Sequence, residues 1–270
     1  MIQPILRAAQ ALASPVIVQI SQKDMTRCGV AVTHFAEVFF RSLQEEQVTV
    51  PVALHLDHTE DPALIDCAIA VGFSSVMIDA SHLPLAENIA ATSAVVERGH
   101  RSGVSVEGEL GIIGAYSFSE TDESSQVSYT DPDEAEQFIW ETGVDALAVS
   151  VGTVHGTRTG SATPVDLARL AAIRARTKVP LVLHGGSGVS AEVLNAAVRL
   201  PGGGVSKVNL ATDLERAMLA ALGSKERLVD AQIEALDAEA LARARAAVER
   251  VTREKISYFL LSQGQAGALS

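Results

Sequence analysis

The sequence predicts an α/β fold, a TIM-type (β/α)8 barrel whose first strand is missing from the chain. Three observations carry that expectation. Short β-branched runs alternate with amphipathic, Ala-rich segments from start to finish, the pattern of right-handed βαβ units on a parallel sheet. The strand candidates are nearly continuous in apolar residues, as in a sheet buried on both faces. The glycine-rich turns follow the last two strands, where barrels bind phosphate, whereas a doubly wound sheet places its glycine-rich turn after an early strand.

The elements follow in order. Residues 1–13, with PILRAAQALA, read as a helix in the place of a first barrel strand. Strands are expected at PVIVQIS (15–21), VALHLD (52–57), SSVMIDA (74–80), VSVEGEL (104–110), DALAVSV (145–151), PLVLHG (180–185) and GVSKVNL (204–210). Apolar residues at three- and four-residue steps predict helices at PALIDCAIAVG (62–72), LAENIAATSAVVERGHRSG (85–103), PDEAEQFIWETG (132–143) and TPVDLARLAAIRART (163–177). Between strand and helix, IIGAYSFSETDESSQVSYTDPDE (112–134) is long, polar and acidic, a length typical of lids or disordered loops. Residues 225–262 read as one or two long helices with alternating charge, and the tail QGQAGALS as a frayed end. A single barrel domain over 1–270 is expected. Residues 225–270 then form a helical extension that packs on the barrel or on a neighbouring subunit of a homodimer or homotetramer.

Composition narrows the function classes. The 270 residues carry 33 acidic and 21 basic side chains, a net charge of −12, with no basic stripe for nucleic acid. An anionic substrate must therefore be held by backbone N–H groups, a helix N-terminus or a cation. The longest apolar stretches fall far below the ~18–20 residues that span a bilayer, and MIQPILRAAQ lacks the pattern of a secretory signal. The two cysteines, Cys28 and Cys67, form no CxxC pair. A cytoplasmic location is expected.

Polar residues collect at the strand ends. HLDH contributes His55, Asp57 and His58, MIDAS contributes Asp79, and VEGELG contributes Glu107 and Glu109. GTVHG adds His155, LHGGSG adds His184, and KVNLATD adds Asn209 and Thr212. In a parallel barrel these C-terminal ends meet at one mouth, where barrel enzymes keep their active sites. His58, His155 and His184, each following a strand, make the three-imidazole pattern of a catalytic zinc site with open positions. Strand alternation puts His55 and Asp57 on one face, with His58 where the chain leaves the strand. Asp57 serves either to orient a ligand or to transfer a proton. His34 and His100 read as surface residues, and His82 as core or rim support. HGGSGVS (184–190) and GVSKVNLATDLERA (204–217) each open a helix on small residues, turns whose N–H groups cradle phosphate.

VALHLDH, MIDASH, VEGELG, TDPDEA, VGTVHG, VPLVLHGGSG and KVNLATD, in that order and spacing, resemble the class II, zinc-dependent ketose-bisphosphate aldolases of the fructose- and tagatose-bisphosphate type. The similarity runs from PVIVQIS to NLATDLERA, about three quarters of the chain. The resemblance implies a lyase that reversibly cleaves a phosphorylated ketose to dihydroxyacetone phosphate and an aldehyde. It implies that His58, His155 and His184 bind Zn2+, and that Asp57 handles the proton of the C4 hydroxyl. On that resemblance the zinc would serve as a Lewis acid toward the ketone and hydroxyl oxygens of the triose phosphate and stabilise the enediolate. Gly156, Gly185, Ser187, Asn209 and Thr212, helped by Ser21, match positions that hold the dihydroxyacetone-phosphate half, beside a monovalent cation (Na+ or K+). Asp79 and Glu109 match acidic positions near an alternative metal position.

Three departures from the family pattern stand out. The Phe-Asn-Val-type first strand is absent. The segment that supplies the second acid/base reads ELGIIGAYSFSETDE, with Ser117 near the expected acid and Glu120, Asp122 and Glu123 as substitutes. The basic stretch before the last helix is replaced by AQIEALDAEA, which leaves a second phosphate unsupported. Two rival readings remain: a non-catalytic metal- or sugar-phosphate-binding relative that supports another enzyme, and Schiff-base chemistry at Lys207, unless that lysine simply pairs with a carboxylate.

Overall fold

The computed structural model describes residues 1–114, 127–156 and 165–269. Helix α1 (Ile2–Ala11) precedes strand β1 (Val16–Ser21), and α2 (Gln22–Cys28) and α3 (Val32–Glu45) lead to β2 (Val52–Thr59). Helix α4 (Pro62–Ala70) leads to β3 (Ser75–Ile78), α5 (Leu85–Arg101) to β4 (Ser105–Leu110), and α6 (Pro132–Thr142) to β5 (Ala146–Val149). Then come α7 (Leu167–Arg176), β6 (Leu181–Leu183), α8 (Ala191–Val198), β7 (Val205–Val208), α9 (Thr212–Leu222), α10 (Asp230–Glu234) and α11 (Ala238–Glu254). The strands lie in one seven-stranded sheet in the order β1-β2-β3-β4-β5-β6-β7. The pairs β1–β2, β4–β5, β5–β6 and β6–β7 are parallel. Such a sequential order has no reversal point, which separates this sheet from the doubly wound alternative.

All seven expected strands form, with one change at the second. β2 continues through His58 and Thr59, so His58 lies inside the strand rather than after it. Helix starts follow from capping chemistry. Asp61 and Asp131 each precede a proline at the first helical turn and accept from backbone N–H groups there. Asp166 caps α7 by accepting from Arg169 N, which starts that helix later than expected. Gly29 and Gly143 end α2 and α6 at φ +73° and +69°, a conformation glycine adopts without a Cβ penalty.

The described residues divide into two compact units, 1–75 with 213–270, and 76–212. In the first, α9 and α11 share an apolar cluster of Met218, Leu219, Ala244 and Val248, against which Met1 and Ile5 pack. Ala8 and Ala9 of α1 pack with Ile256. The expected frayed tail is instead tied to the end of α1: Gly264 N–H donates to Leu12 O and Ala266 N–H to Ala13 O, both at 2.9 Å. Backbone bonds of this kind hold a terminus that its composition would leave loose. In the second unit, Met77, Ala148 and Val182 form a cluster with Ala146. No helix among the described residues is long and apolar enough to cross a membrane.

Candidate active site

In the first unit the polar side chains gather where β1 and β2 end. Parallel pairing sets Gln19 beside His55 and Ser21 beside Asp57. His55 and Asp57, two residues apart, share a face and are 1% and 6% exposed. A buried carboxylate needs donors, and Gln19 Nε2 donates to Asp57 Oδ2 at 3.0 Å. His55 Nδ1 lies 2.8 Å from Ser75 Oγ, and its Nε2 3.7 Å from Asp57 Oδ1. His55, the least defined member of HLDH in sequence, thus stands between Ser75 and the Asp57 carboxylate. His58 follows at φ +38°, a left-handed conformation that costs a non-glycine residue about 1–3 kcal/mol. Such strain persists where the surrounding structure over-determines it, commonly at active sites. Ser21 is the N-cap of α2: its Oγ accepts from Asp24 N at 3.0 Å and donates to Asp24 Oδ2 at 2.9 Å.

In the second unit, β4 provides two carboxylates through alternation. Glu107 and Glu109 share one face of VEGEL, while Gly108 faces the helices. A β-carbon on Gly108 would sit 2.9 Å from the Phe138 ring, so glycine lets α6 pack close behind the strand. The ladder continues that polar face onto the neighbouring strands, with Glu107 beside Ala146, Glu109 beside Ala148, Ala148 beside Val182 and Val182 beside Lys207. His184, two residues after Val182, is fully buried. Its Nε2 is 2.9 Å from Glu107 Oε1, and its Nδ1 3.7 Å from Glu109 Oε2. Lys207 Nζ donates to the other Glu107 oxygen at 2.8 Å. The His155 ring lies 5.8 Å from that of His184, centroid to centroid. Backbone bonds fix the His155 segment: His155 N–H donates to Gly114 O at 2.8 Å, and Asp166 N–H to Val151 O at 2.7 Å. An antiparallel bridge between Ile112 and Ser128 closes the stretch that precedes Gly114.

The glycine-rich turn after His184 is built for close backbone approach. Gly185 has φ +67°, and a β-carbon there would run into the Val154 carbonyl. Gly186 N–H donates to Asn209 O at 3.0 Å and Asn209 N–H to Leu183 O at 2.9 Å, which pins the ends of β6 and β7 together. Ser187 is buried, and Ser190 caps α8. Gly156 has φ +87°, and Thr212 opens α9. Asp79 Oδ1 accepts from Ser81 N at 3.3 Å and Ser81 Oγ at 2.7 Å. His34, His82 and His100 are exposed or largely so. For His82 this replaces core support with a surface position, and His100 Nε2 lies 2.9 Å from Asp145 Oδ2. Glu120, Asp122 and Glu123 lie outside the described residues.

Sequence reasoning did not single out Gln19, and it placed Glu107 among the strand-end polar groups without giving it a role. Each is a polar residue inside an apolar strand, on the same face as a predicted site residue, which is the signal that marks it. Among the described residues, histidine and carboxylate side chains form groups able to hold a metal ion. The donor chemistry fits zinc: a buried imidazole at His184, half-buried ones at His58 and His155, and carboxylates beside them.

Comparison with known proteins follows the same direction. The family model described as class-II fructose-bisphosphate aldolase matches residues 1–265. A fructose-bisphosphate aldolase of Geobacillus stearothermophilus is 42% identical over 221 residues, covering 82% of this chain and 74% of that protein. A 6-phospho-5-dehydro-2-deoxy-D-gluconate aldolase of Shouchella clausii is 41% identical over 210 residues, covering 77% and 69%. The crystal structure of the YdjI aldolase from Escherichia coli K12 aligns with a TM-score of 0.80 at 30% identity, over 98% of this chain and 88% of that one.

Proposed function

The chain belongs to the class-II fructose-bisphosphate aldolase family, and from that premise we propose that it reversibly cleaves a phosphorylated ketose to dihydroxyacetone phosphate and an aldehyde. The observation that carries the reading is Asp57, a buried carboxylate held by Gln19 and followed at once by the strained His58. His58, His155 and His184 hold zinc, which when bound supplies Lewis-acid polarisation of the substrate's ketone and hydroxyl oxygens. Asp57 accepts the proton of the C4 hydroxyl during cleavage and returns it to the aldehyde oxygen during condensation. Gln19 and His55 keep that carboxylate oriented in both directions.

Gly156, Gly185, Ser187, Asn209 and Thr212 bind the phosphate end, helped by Ser21, with a monovalent cation beside the phosphate. Backbone N–H groups at the glycine turn answer the problem set by a net charge of −12, since they attract an anion without a basic surface. Asp79 and Glu109 offer the alternative metal position, and one of Glu120, Asp122 and Glu123 supplies the second acid/base. The matched relatives carry the names of a fructose-bisphosphate aldolase and a 6-phospho-5-dehydro-2-deoxy-D-gluconate aldolase, which supports a substrate with a terminal phosphate. A cytoplasmic homodimer or homotetramer completes the reading.

Lys207 is engaged with Glu107 at 2.8 Å, whereas a Schiff base needs an unpaired amine. The deciding experiment measures bound zinc and the release of dihydroxyacetone phosphate from a panel of ketose phosphates, before and after EDTA. Activity lost in EDTA and restored by zinc is expected. Zinc-loaded protein that cleaves none of the panel would make the chain a non-catalytic relative. Activity that survives EDTA and is trapped by borohydride would return the chemistry to Lys207.

A further inference from the structure

We propose that Glu107 is a positioning residue for His184: its carboxylate holds the imidazole with the hydrogen on Nε2 and so leaves Nδ1 as the atom that binds metal. The inference rests on the reading of His184 as a zinc ligand.

Three facts lead there. First, both carboxylate oxygens are engaged. Glu107 Oε1 is 2.9 Å from His184 Nε2, and Oε2 receives Lys207 Nζ at 2.8 Å. A carboxylate in an ion pair is an acceptor only, so the imidazole must be the donor. A neutral imidazole carries one N–H, and with that hydrogen on Nε2 the lone pair sits on Nδ1. Second, the strands build this contact deliberately. Glu107 reaches from β4 across β5 to His184 just past β6 and to Lys207 on β7, and the β5 residues beside Glu107 and Glu109 are Ala146 and Ala148. Their methyl groups leave room for longer side chains to cross. Third, stability does not explain the pair. Glu107 is 2% exposed, and its ladder neighbour Ala146 packs against the apolar cluster of Met77, Ala148 and Val182. In such surroundings an apolar pair serves packing as well or better than a buried ion pair.

Lys207 has a definite part in this arrangement. It fixes which end of the group at position 107 is the acceptor. In Glu107→Gln the amide oxygen stays with the Lys207 ammonium, and the NH2 is turned toward His184 Nε2. That favours the opposite tautomer, with hydrogen on Nδ1 and no lone pair there for the metal.

The test has two arms. In zinc-free wild-type protein, long-range 1H–15N correlation spectra of the imidazoles are expected to show His184 as the Nε2–H tautomer. Added zinc should then move its Nδ1 resonance. In Glu107→Gln, zinc affinity measured by competition with a chelator is expected to fall about 10- to 100-fold, with the tautomer inverted. Zinc-free unfolding curves control for folding. An Nδ1–H tautomer in the zinc-free wild type overturns the proposal, as does unchanged zinc affinity in a folded Glu107→Gln. If Glu107→Gln does not fold, the wild-type spectra decide. Failure of the underlying reading looks different: His184→Ala would bind zinc like wild type, whatever tautomer the spectra show.

Discussion

Asp57 and Glu107 are both buried carboxylates beside a histidine, yet the chain holds them in opposite ways. Asp57 takes its hydrogen bond from the neutral amide of Gln19 on the neighbouring strand, with His55 two residues away. Glu107 is pinned by an ammonium and an imidazole that lie 100 and 77 residues further along the chain. The difference fits the two jobs proposed for them. A group that passes a proton back and forth is served by an amide donor that orients it. A group that only orients a neighbour is served by an ion pair that fixes both of its oxygens.

The largest expected effect tests the first half of that contrast. Asp57→Asn should lower kcat for ketose cleavage by about 10²- to 10⁴-fold while the zinc content stays at the wild-type level. Cleavage near the wild-type rate in that variant would move the proton work elsewhere and erase the distinction. Next in size is Lys207→Met, which leaves the Glu107 charge buried without its cation. Urea unfolding should then show a loss of about 3–5 kcal/mol, the range for breaking one side of a buried ion pair. A loss below ~1 kcal/mol would mean that water reaches Glu107 and that its pinning is looser than the geometry indicates.

The smallest effect belongs to a surface pair that serves as the control. Arg7 donates to both Glu46 oxygens, at 2.6 and 2.7 Å, and this hydrogen bonding holds the Glu46 carboxyl below its ordinary range. The folded value is depressed, so the stabilisation is present above the ordinary carboxylate pKa. It is lost as pH falls through the lowered value. Half-exposed pairs of this kind contribute about 0.2–1 kcal/mol. The melting temperatures of wild type and Glu46→Gln should therefore differ slightly at neutral pH and converge in strong acid. A gap that widens in acid would contradict the sign.

Which side chains share a strand face or a turn was legible where the geometry is local. Alternation along β2 places His55 with Asp57, alternation along β4 places Glu107 with Glu109, and the glycines at 185 and 186 mark a turn that needs close backbone approach. Two things escaped that reasoning. His58 was expected beyond its strand, because no pattern of residue types announces a left-handed backbone inside a ladder. The tail after residue 262 was expected to fray, because composition does not reveal that Leu12 and Ala13 carbonyls wait for it.

By itself, then, the sequence determined the alternation of strands and helices, the faces on which charged groups emerge, and the kinds of donor atom available to a metal. Those follow from periods of two and 3.6 residues and from side-chain chemistry, which act over a few positions. Only the tertiary structure decided that Gln19 holds Asp57 and that Lys207 fixes Glu107 against His184. The physical reason is register: strand pairing selects partners by backbone hydrogen bonding between segments far apart in the chain, and no local pattern encodes that choice.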